Sequence, residues 1–347
     1  MKFVVNGEDF KNAIAELTTI LVPATTYRAI SFIMVKASKE DGLVLQATDY
    51  EINLKKKLDA NIIEEGAIGL PGKYLSKTLK GLTDDEIELE QTGKENILLR
   101  AGEKRVKFLC LPENEYPVFP DVEEVDSFIL PSGILRNGIR KTAYAVSSDT
   151  SNMVLMGSLW EIAAEESRIT MVATDSHRMV VNRMNVEFQK TPKENMKIIV
   201  PDKLLNYLSS SLPENDVPVN VLIPKAEGKI AFQYGNNEIV GKLIMGTYPS
   251  YIEIVPDAAD MKEMFIPRSK LLDGIKFVSV LAERKSYNVN LNFGKEEVVV
   301  NTDLTEIGEA KQTIPLDKSG EPIKFIFNIT FIKEALSWFD EAELTMG

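Results

Sequence analysis

The sequence predicts an α+β protein made of three tandem repeats of one unit, two helices against an antiparallel sheet, with the third copy cut short. Three recurring landmarks predict it. The first is a strand of β-formers that runs into a polar or Pro turn and then an apolar-periodic helix. It appears as KFVVNGEDFKNAIAELTTIL from Lys2, SFILPSGILRNGIRKTAYAVS from Ser127 and MFIPRSKLLDGIKFVSVLAERK from Met264. The second is a strand ending in Thr-Asp, at LVLQATD, ITMVATD and VVVNTD; its Asp49, Asp175 and Asp303 are spaced by 126 and 128 residues. The third is another strand–helix pair, AIGLPGKYLSKTLKGL, KIIVPDKLLNYLSSSL and KFIFNITFIKEALSWF. Its helices open at Gly72, Asp202 and Ile329, which lie 23, 27 and 26 positions beyond the three Asp residues.

Taken in order, each unit reads β-α-β-β-β-α-β-β-β. Copies one and two close on a Tyr-Pro segment, Tyr116 with Pro117 and Tyr248 with Pro249, 44 and 46 residues after Gly72 and Asp202. The third copy would reach that point near position 374, so about two dozen residues of it are expected beyond Gly347. Acidic, Pro-containing stretches at 120–126 and 255–263 read as linkers, which sets domains at 1–125, 126–256 and 257–347.

A chain of 347 residues exceeds what one core usually serves, in agreement with several domains. One cysteine, Cys110, and one histidine, His177, exclude a disulfide framework and a Cys- or His-rich metal centre, so no metal or cofactor is expected. The start, MKFVVNGEDF, lacks the apolar run of a signal peptide, and no stretch approaches membrane-spanning length, which points to the cytoplasm.

The net charge of −12 argues against a nucleic-acid partner until its distribution is read. Segments 7–22, 72–82, 132–147, 202–212, 268–285 and 329–339 hold fourteen basic and seven acidic residues, so the helices carry +7 and the remainder −19. Lys73, Lys77 and Lys80 fall on one helical face; Arg136 and Arg140 fall on another, with Lys141 beside them. Arg268 and Lys276 add to the basic excess of the fifth helix. For one helix alone this is an ordinary solvated face; repeated three times it makes one positive surface on an acidic molecule. Helices packed about 9 Å apart give a six-membered circle only about 17 Å across, whereas twelve give about 35 Å, room for a hydrated duplex. Two chains meeting head to tail would supply twelve.

With ATDSHR at 173–178, GTYPSYIEIVP at 246–256 and the tripled strand–helix pattern, the sequence resembles the bacterial DNA sliding clamps, the β subunits of DNA polymerase III, from Met1 to Gly347. The resemblance implies a ring-shaped head-to-tail homodimer with helices lining the hole and sheets outside. Such a ring encircles double-stranded DNA without sequence preference and is opened by an ATP-dependent clamp loader. It tethers the replicative polymerase and other replication and repair proteins, and itself hydrolyses nothing. It implies a groove for partner peptides between the second and third domains, completed by a C-terminal tail, at Leu155, Thr174, Ser176, His177, Arg178, Met179, Pro249 and Ile254. Ser176 stands where a Gly is common and Glu253 where a basic residue is frequent. It further implies a DNA contact at Lys203, and a dimer contact between Val106 and Phe108 on an edge strand and Val280 and Leu281 on the partner's helix.

An enzyme reading rests on Asp175, Ser176 and His177. Neighbours on an extended segment point to opposite faces, and the copies at Asp49 and Asp303 lack both Ser and His, so this trio is not expected to be catalytic. No G-x-S-x-G, P-loop or dinucleotide motif occurs. Cys110, inside an apolar strand, reads as a small core residue. The other rival is a peptide-binding adaptor of the same fold that never encloses DNA; the basic helices weigh against it.

Overall fold

The computed structural model describes residues 1–22, 27–120, 122, 126–224, 228–255, 264–282, 287–316, 322–338 and 343–346. Most of the expected linker at 120–126, and all of that at 255–263 except Val255, lie outside the described residues.

The first copy runs β1 (Lys2–Asn6), α1 (Gly7–Thr18), β2 (Phe32–Ser38), β3 (Gly42–Thr48), β4 (Ile52–Leu58), β5 (Ala60–Glu64) and β6 (Gly66–Pro71). It continues through α2 (Gly72–Lys80), β7 (Glu86–Gly93), β8 (Asn96–Ala101), β9 (Lys104–Leu109) and the short β10 (Leu111–Pro112). The second copy runs β11 (Asp126–Pro131), α3 (Ser132–Ala143), β12 (Gly157–Ala163), β13 (Arg168–Thr174), β14 (Met179–Asn185) and β15 (Met196–Pro201). Then come α4 (Asp202–Ser211), β16 (Pro218–Ile223), β17 (Lys229–Tyr234) and β18 (Asn237–Lys242). The third copy has β19 (Met264–Pro267), α5 (Arg268–Val278), β20 (Asn288–Phe293), β21 (Glu297–Asn301), β22 (Lys311–Pro315), β23 (Ile323–Asn328), α6 (Ile329–Trp338) and β24 (Glu343–Met346).

Among the described residues four strands lie between the two helices of a copy, five in the first copy, where the apolar pattern predicts three. The strand missed in every copy is the return strand β4, β14 or β22. INLKKKL, MVVNRMN and KQTIP carry too few buried residues to show a clear alternation. They are held by pairing instead, Ala47 opposite Leu54 and Val300 opposite Gln312.

The helix starts obey local chemistry. Asn6 caps α1, its Oδ1 accepting from the N–H groups of Glu8 and Asp9 at 3.0 and 3.1 Å, and both acids sit at the positive end of the helix dipole. Helices α2, α4 and α5 begin directly after an extended Pro, at Pro71, Pro201 and Pro267. Asn328 Oδ1 accepts from the Thr330 N–H at 2.9 Å where α6 begins.

The Thr-Asp landmark is a turn. Asp49 Oδ1 accepts from the N–H groups of Glu51 and Ile52 at 2.9 and 2.8 Å, while the Thr48 hydroxyl accepts from the Tyr50 N–H at 3.0 Å. Asp175 Oδ1 accepts from His177 and Arg178 N–H groups, both at 3.0 Å, and the Thr174 hydroxyl accepts from the Ser176 N–H at 3.1 Å. The residue after each Asp is left-handed, Tyr50 at φ 72° and Ser176 at φ 71°. The segment at Ser176 is therefore a tight turn rather than the extended stretch expected from sequence. It also explains why Gly suits position 176. In the third copy Asp303 accepts from the Asn290 amide at 2.8 Å, and a longer loop leads to the next strand.

The chain forms two compact units, one of residues 1–139, 149–172 and 181–246, the other of residues 140–148, 173–180 and 247–347. In the first, β5-β1-β7-β8-β9 form one sheet, and β10-β6-β2-β3-β4-β18-β17-β16-β11 form a nine-stranded sheet. The second sheet joins copies one and two through β4 and β18, with Leu54 opposite Ile239. The core includes Phe3 and Phe10, edge to face at 6.5 Å, and Trp160 with Phe232 at 6.3 Å. Strands β12 to β15 make a four-stranded sheet in the order β14-β13-β12-β15. In the second unit β22-β21-β20-β23 and β19-β24 pair, and Leu271, Ile275, Leu291 and Ile332 pack in its core.

Replacing Ser176 by Gly removes left-handed strain and is expected to stabilise the protein by about 0.5–1 kcal/mol, raising the thermal midpoint by about 1–3 °C. Tyr50→Gly relieves the same strain but forfeits the edge-to-face contact of Tyr50 with Tyr27 at 6.1 Å, so its midpoint should stay within error of the parent. Equal upward shifts in calorimetry would show that the Tyr27 contact contributes nothing, and no rise for Ser176→Gly would show that strain at the turn is not the deciding term.

Candidate DNA-facing helices and peptide groove

Helix α2 buries Gly72, Leu75 and Leu79 and leaves Lys73, Lys77 and Lys80 exposed on its other side, with Tyr74 65% exposed among them. No carboxylate interrupts this face. On α5, Lys276 is exposed beside Phe277. Arg140 and Lys141 on α3 are half-buried.

Arg136, Arg268 and Lys203 are committed within the fold. Arg136 donates from Nε to the Ser209 carbonyl at 3.1 Å, near the end of α4, and its Nη1 lies 2.7 Å from Glu214. Arg268 donates from Nη1 to the Leu336 carbonyl at 2.8 Å, near the end of α6. Both arginines therefore hold the negative end of a neighbouring helix, a structural use of charge that residue counting does not separate from a free one. Lys203 is half exposed, with Nζ 2.6 Å from the buried Asp49 carboxylate and 2.7 Å from Glu51. Burial works against its charge, but hydrogen bonds to Asp49 and Glu51 more than compensate and hold the ammonium above the usual lysine range. A cavity of about 290 Å³ opens here, lined by Asp49, Lys203, Asn206 and Tyr207 among others.

Around the second Thr-Asp turn, Arg178 gathers a cluster. Its Nε meets Asp175 Oδ2 at 3.0 Å, Nη2 donates to the Tyr144 carbonyl at 2.7 Å, and Nη1 pairs with Glu334. The guanidinium lies 4.5 Å from the Phe331 ring centroid and 5.4 Å from that of Tyr144. The exposed His177 ring stacks on Phe331 at 6.4 Å and 21°. Burial pushes the Tyr144 hydroxyl up to about 12, with the Arg178 charge pulling it back in part. Burial does the same to the Tyr248 hydroxyl, up to about 12. Thr174 donates its hydroxyl to the Arg178 carbonyl at 2.7 Å, and Met179 is half-buried. Pro249 is exposed, and Ile252 and Ile254 are each 67% exposed beside the buried Tyr251. Leu155 belongs to the other unit, where it is buried in the turn Met153–Met156.

Sequence reasoning missed Tyr144, Phe331 and Glu334. Phe331 and Glu334 are three apart on α6, a spacing that puts them on one face and was open to being read. The turn also disposes of the Asp175–Ser176–His177 trio. The carboxylate is spent on two backbone N–H groups and an arginine, and the imidazole stacks on a ring. Among the described residues no group of His, Cys, Asp and Glu is placed to hold a metal ion. Burial pushes the Cys110 thiol up to about 12, as expected of an inert core residue.

Strand β9 is an edge of its sheet. Its Val106 is half-buried and its Phe108 buried, so Phe108 faces the core, whereas Leu109, absent from the sequence reading, is 70% exposed. Val280 and Leu281 lie in a 3₁₀ turn, Ser279–Leu281, that continues α5; Val280 is 79% exposed.

Three family models match nearly the whole chain. The N-terminal domain of the DNA polymerase III beta subunit covers residues 1–120, its central domain 129–250 and its C-terminal domain 253–347. The beta sliding clamp of Staphylococcus epidermidis is 28% identical over 99% of this chain and 92% of its own length. The DNA polymerase sliding clamp of Bacillus subtilis superposes with a TM-score of 0.92 at 25% identity, over 99% of this chain and 92% of that one. The Helicobacter pylori beta clamp bound to a DNA ligase peptide shares the fold with a TM-score of 0.88 at 22% identity, over 99% and 93%. None of the described helices is long and apolar enough to cross a membrane. This chain belongs to the DNA polymerase III beta subunit family, the bacterial sliding clamps.

Proposed function

We infer that this chain is a non-catalytic processivity factor. Two copies close head to tail around duplex DNA, are loaded by an ATP-dependent clamp loader, and tether the replicative polymerase and other replication and repair proteins. The observation that carries this reading is the carboxylate-free row of exposed lysines on α2, set in a repeated helix-and-sheet unit that matches sliding clamps along 99% of the chain. A duplex carries charge at a spacing that such a row can meet without reading bases, and mobile surface lysines allow sliding.

Within this reading the domains are 1–125, 126–256 and 257–347. Lys73, Lys77, Lys80, Arg140, Lys141, Lys203 and Lys276 face DNA, and Arg136 and Arg268 contribute positive potential while holding helix ends. Thr174, Ser176, His177, Arg178, Met179, Pro249 and Ile254 receive partner peptides: His177 and the Ile254 side chain offer accessible apolar surface, and Arg178 fixes the turn that presents them. Such a mix of apolar wall and few polar groups suits short linear motifs. Val106, Val280 and Leu281 form the contact between copies, with the exposed Leu109 in place of the core-facing Phe108, covering an edge strand that would otherwise invite aggregation. The cytoplasm, where the chromosome is copied, is the assigned location.

Three outcomes are expected. The dimer should stay on nicked circular DNA and slide off once the circle is cut; equal retention on both would replace enclosure by ordinary binding. Charge reversal at Lys73, Lys77 and Lys80 should lower the slope of log retention against log salt by up to about 0.9 per lost phosphate contact, with no change in dimer mass. Substituting Met179 and Pro249 should abolish binding of a polymerase-derived motif peptide by calorimetry while the dimer persists, and loss of the dimer instead would reassign the pocket.

A further inference from the structure

The two copies that carry a Tyr-Pro segment differ in how the residues just beyond it are placed. In the first, Phe119 and Val122 pack on Leu222, Ala231 and Val240. Those three are cross-strand neighbours, and from Val240 the row continues to Asn53 on β4 and from there to Thr48 on β3. Opposed residues share a face of the sheet, so this is one continuous floor. Turn geometry aligns Thr48 with Thr174 and Asn53 with Met179; the Tyr-Pro segments align Pro117 with Pro249 and Val122 with Ile254. Two residues at the far end of this floor, Thr48 and Asn53, are therefore counterparts of residues assigned to peptide binding in the second copy, while Leu222, Ala231 and Val240, on which Phe119 and Val122 pack, come from β16, β17 and β18.

The occupant differs. Val122 lies on the floor, whereas its counterpart Ile254 is 67% exposed. Upstream, the Tyr116 hydroxyl donates to the Gln46 carbonyl at 3.1 Å, or to that of Phe32 at 3.3 Å, which ties the segment to the sheet. Lys55 Nζ stands 5.6 Å from the Phe119 ring centroid and is itself steered by Glu238 at 3.5 Å. The neighbouring Val118 is 92% exposed, so the segment presents Phe119 and Val122 selectively.

We propose that the first copy holds a second peptide groove that the chain occupies itself, with Phe119 and Val122 of its own linker taking the place of a partner's apolar side chains. The ligand class in trans is an extended peptide with an aromatic and an aliphatic residue three positions apart. A tethered occupant acts at an effective concentration in the millimolar range, so a free peptide does not displace it in the unaltered chain. The proposal rests on the groove reading above for the alignment of the two copies and for the statement that the second copy is the open one.

The test uses the full-length chain and a labelled peptide copying residues 115–124, EYPVFPDVEE. The double variant Phe119→Ser, Val122→Ser should bind it at one equivalent per chain, about tenfold or more tighter than the unaltered protein does. Adding Val240→Ser, which removes the floor, should cancel the gain. A folded double variant that binds no better than the parent, or a gain that survives Val240→Ser, overturns the proposal. If the double variant loses its circular dichroism, Phe119→Ala alone is read against the same two criteria. A polymerase-derived motif peptide, run in parallel, separates the two ideas. Its failure to bind the unaltered chain counts against the open groove and leaves the 115–124 result standing.

Discussion

A single aspartate carboxylate at the end of an apolar strand sets much of the geometry. One oxygen of Asp49 or Asp175 satisfies two backbone N–H groups and so turns the chain back on itself within three residues. The other oxygen is left to meet a cation, Lys203 in one case and Arg178 in the other. Removing either carboxylate would leave two backbone donors without their acceptor and take one of two acidic partners from a cation, two costs that fall on the same spot. The position of the return strand, and of the residues beside the turn, is a result of that pair of contacts.

The repeat was legible because it depends on local signals: β-formers before a Pro or polar turn, amphipathic helices, and Thr-Asp at strand ends. The return strands were not, since INLKKKL and KQTIP are held by their neighbours' backbone more than by their own apolar residues. At the site, the turn residues at 174–179 could be picked out, but their manner of use could not. Arg178 was visible as a residue of the motif; that it ties Tyr144, Phe331 and Glu334 together depends on three segments meeting in space. Arg136 and Arg268 show the converse. Position on a helix made them look like free cations, and only the carbonyls of Ser209 and Leu336 reveal their structural work.

An acidic protein that handles DNA needs its positive charge where no carboxylate can cancel it. Helix α2 meets that need by having no acid at all, whereas β7 and β8 absorb Arg100 into contacts with Glu88 and Glu90. The same residue types thus serve as a solvent-facing row in one element and as cross-strand ties in another. Net charge records neither.

The nine-stranded sheet has a mechanical meaning. Because β4 pairs with β18, bending between the first two copies would shear a ladder of backbone hydrogen bonds at once rather than unzip a few side chains. That seam is a girder. Any motion that admits DNA would therefore leave this seam intact.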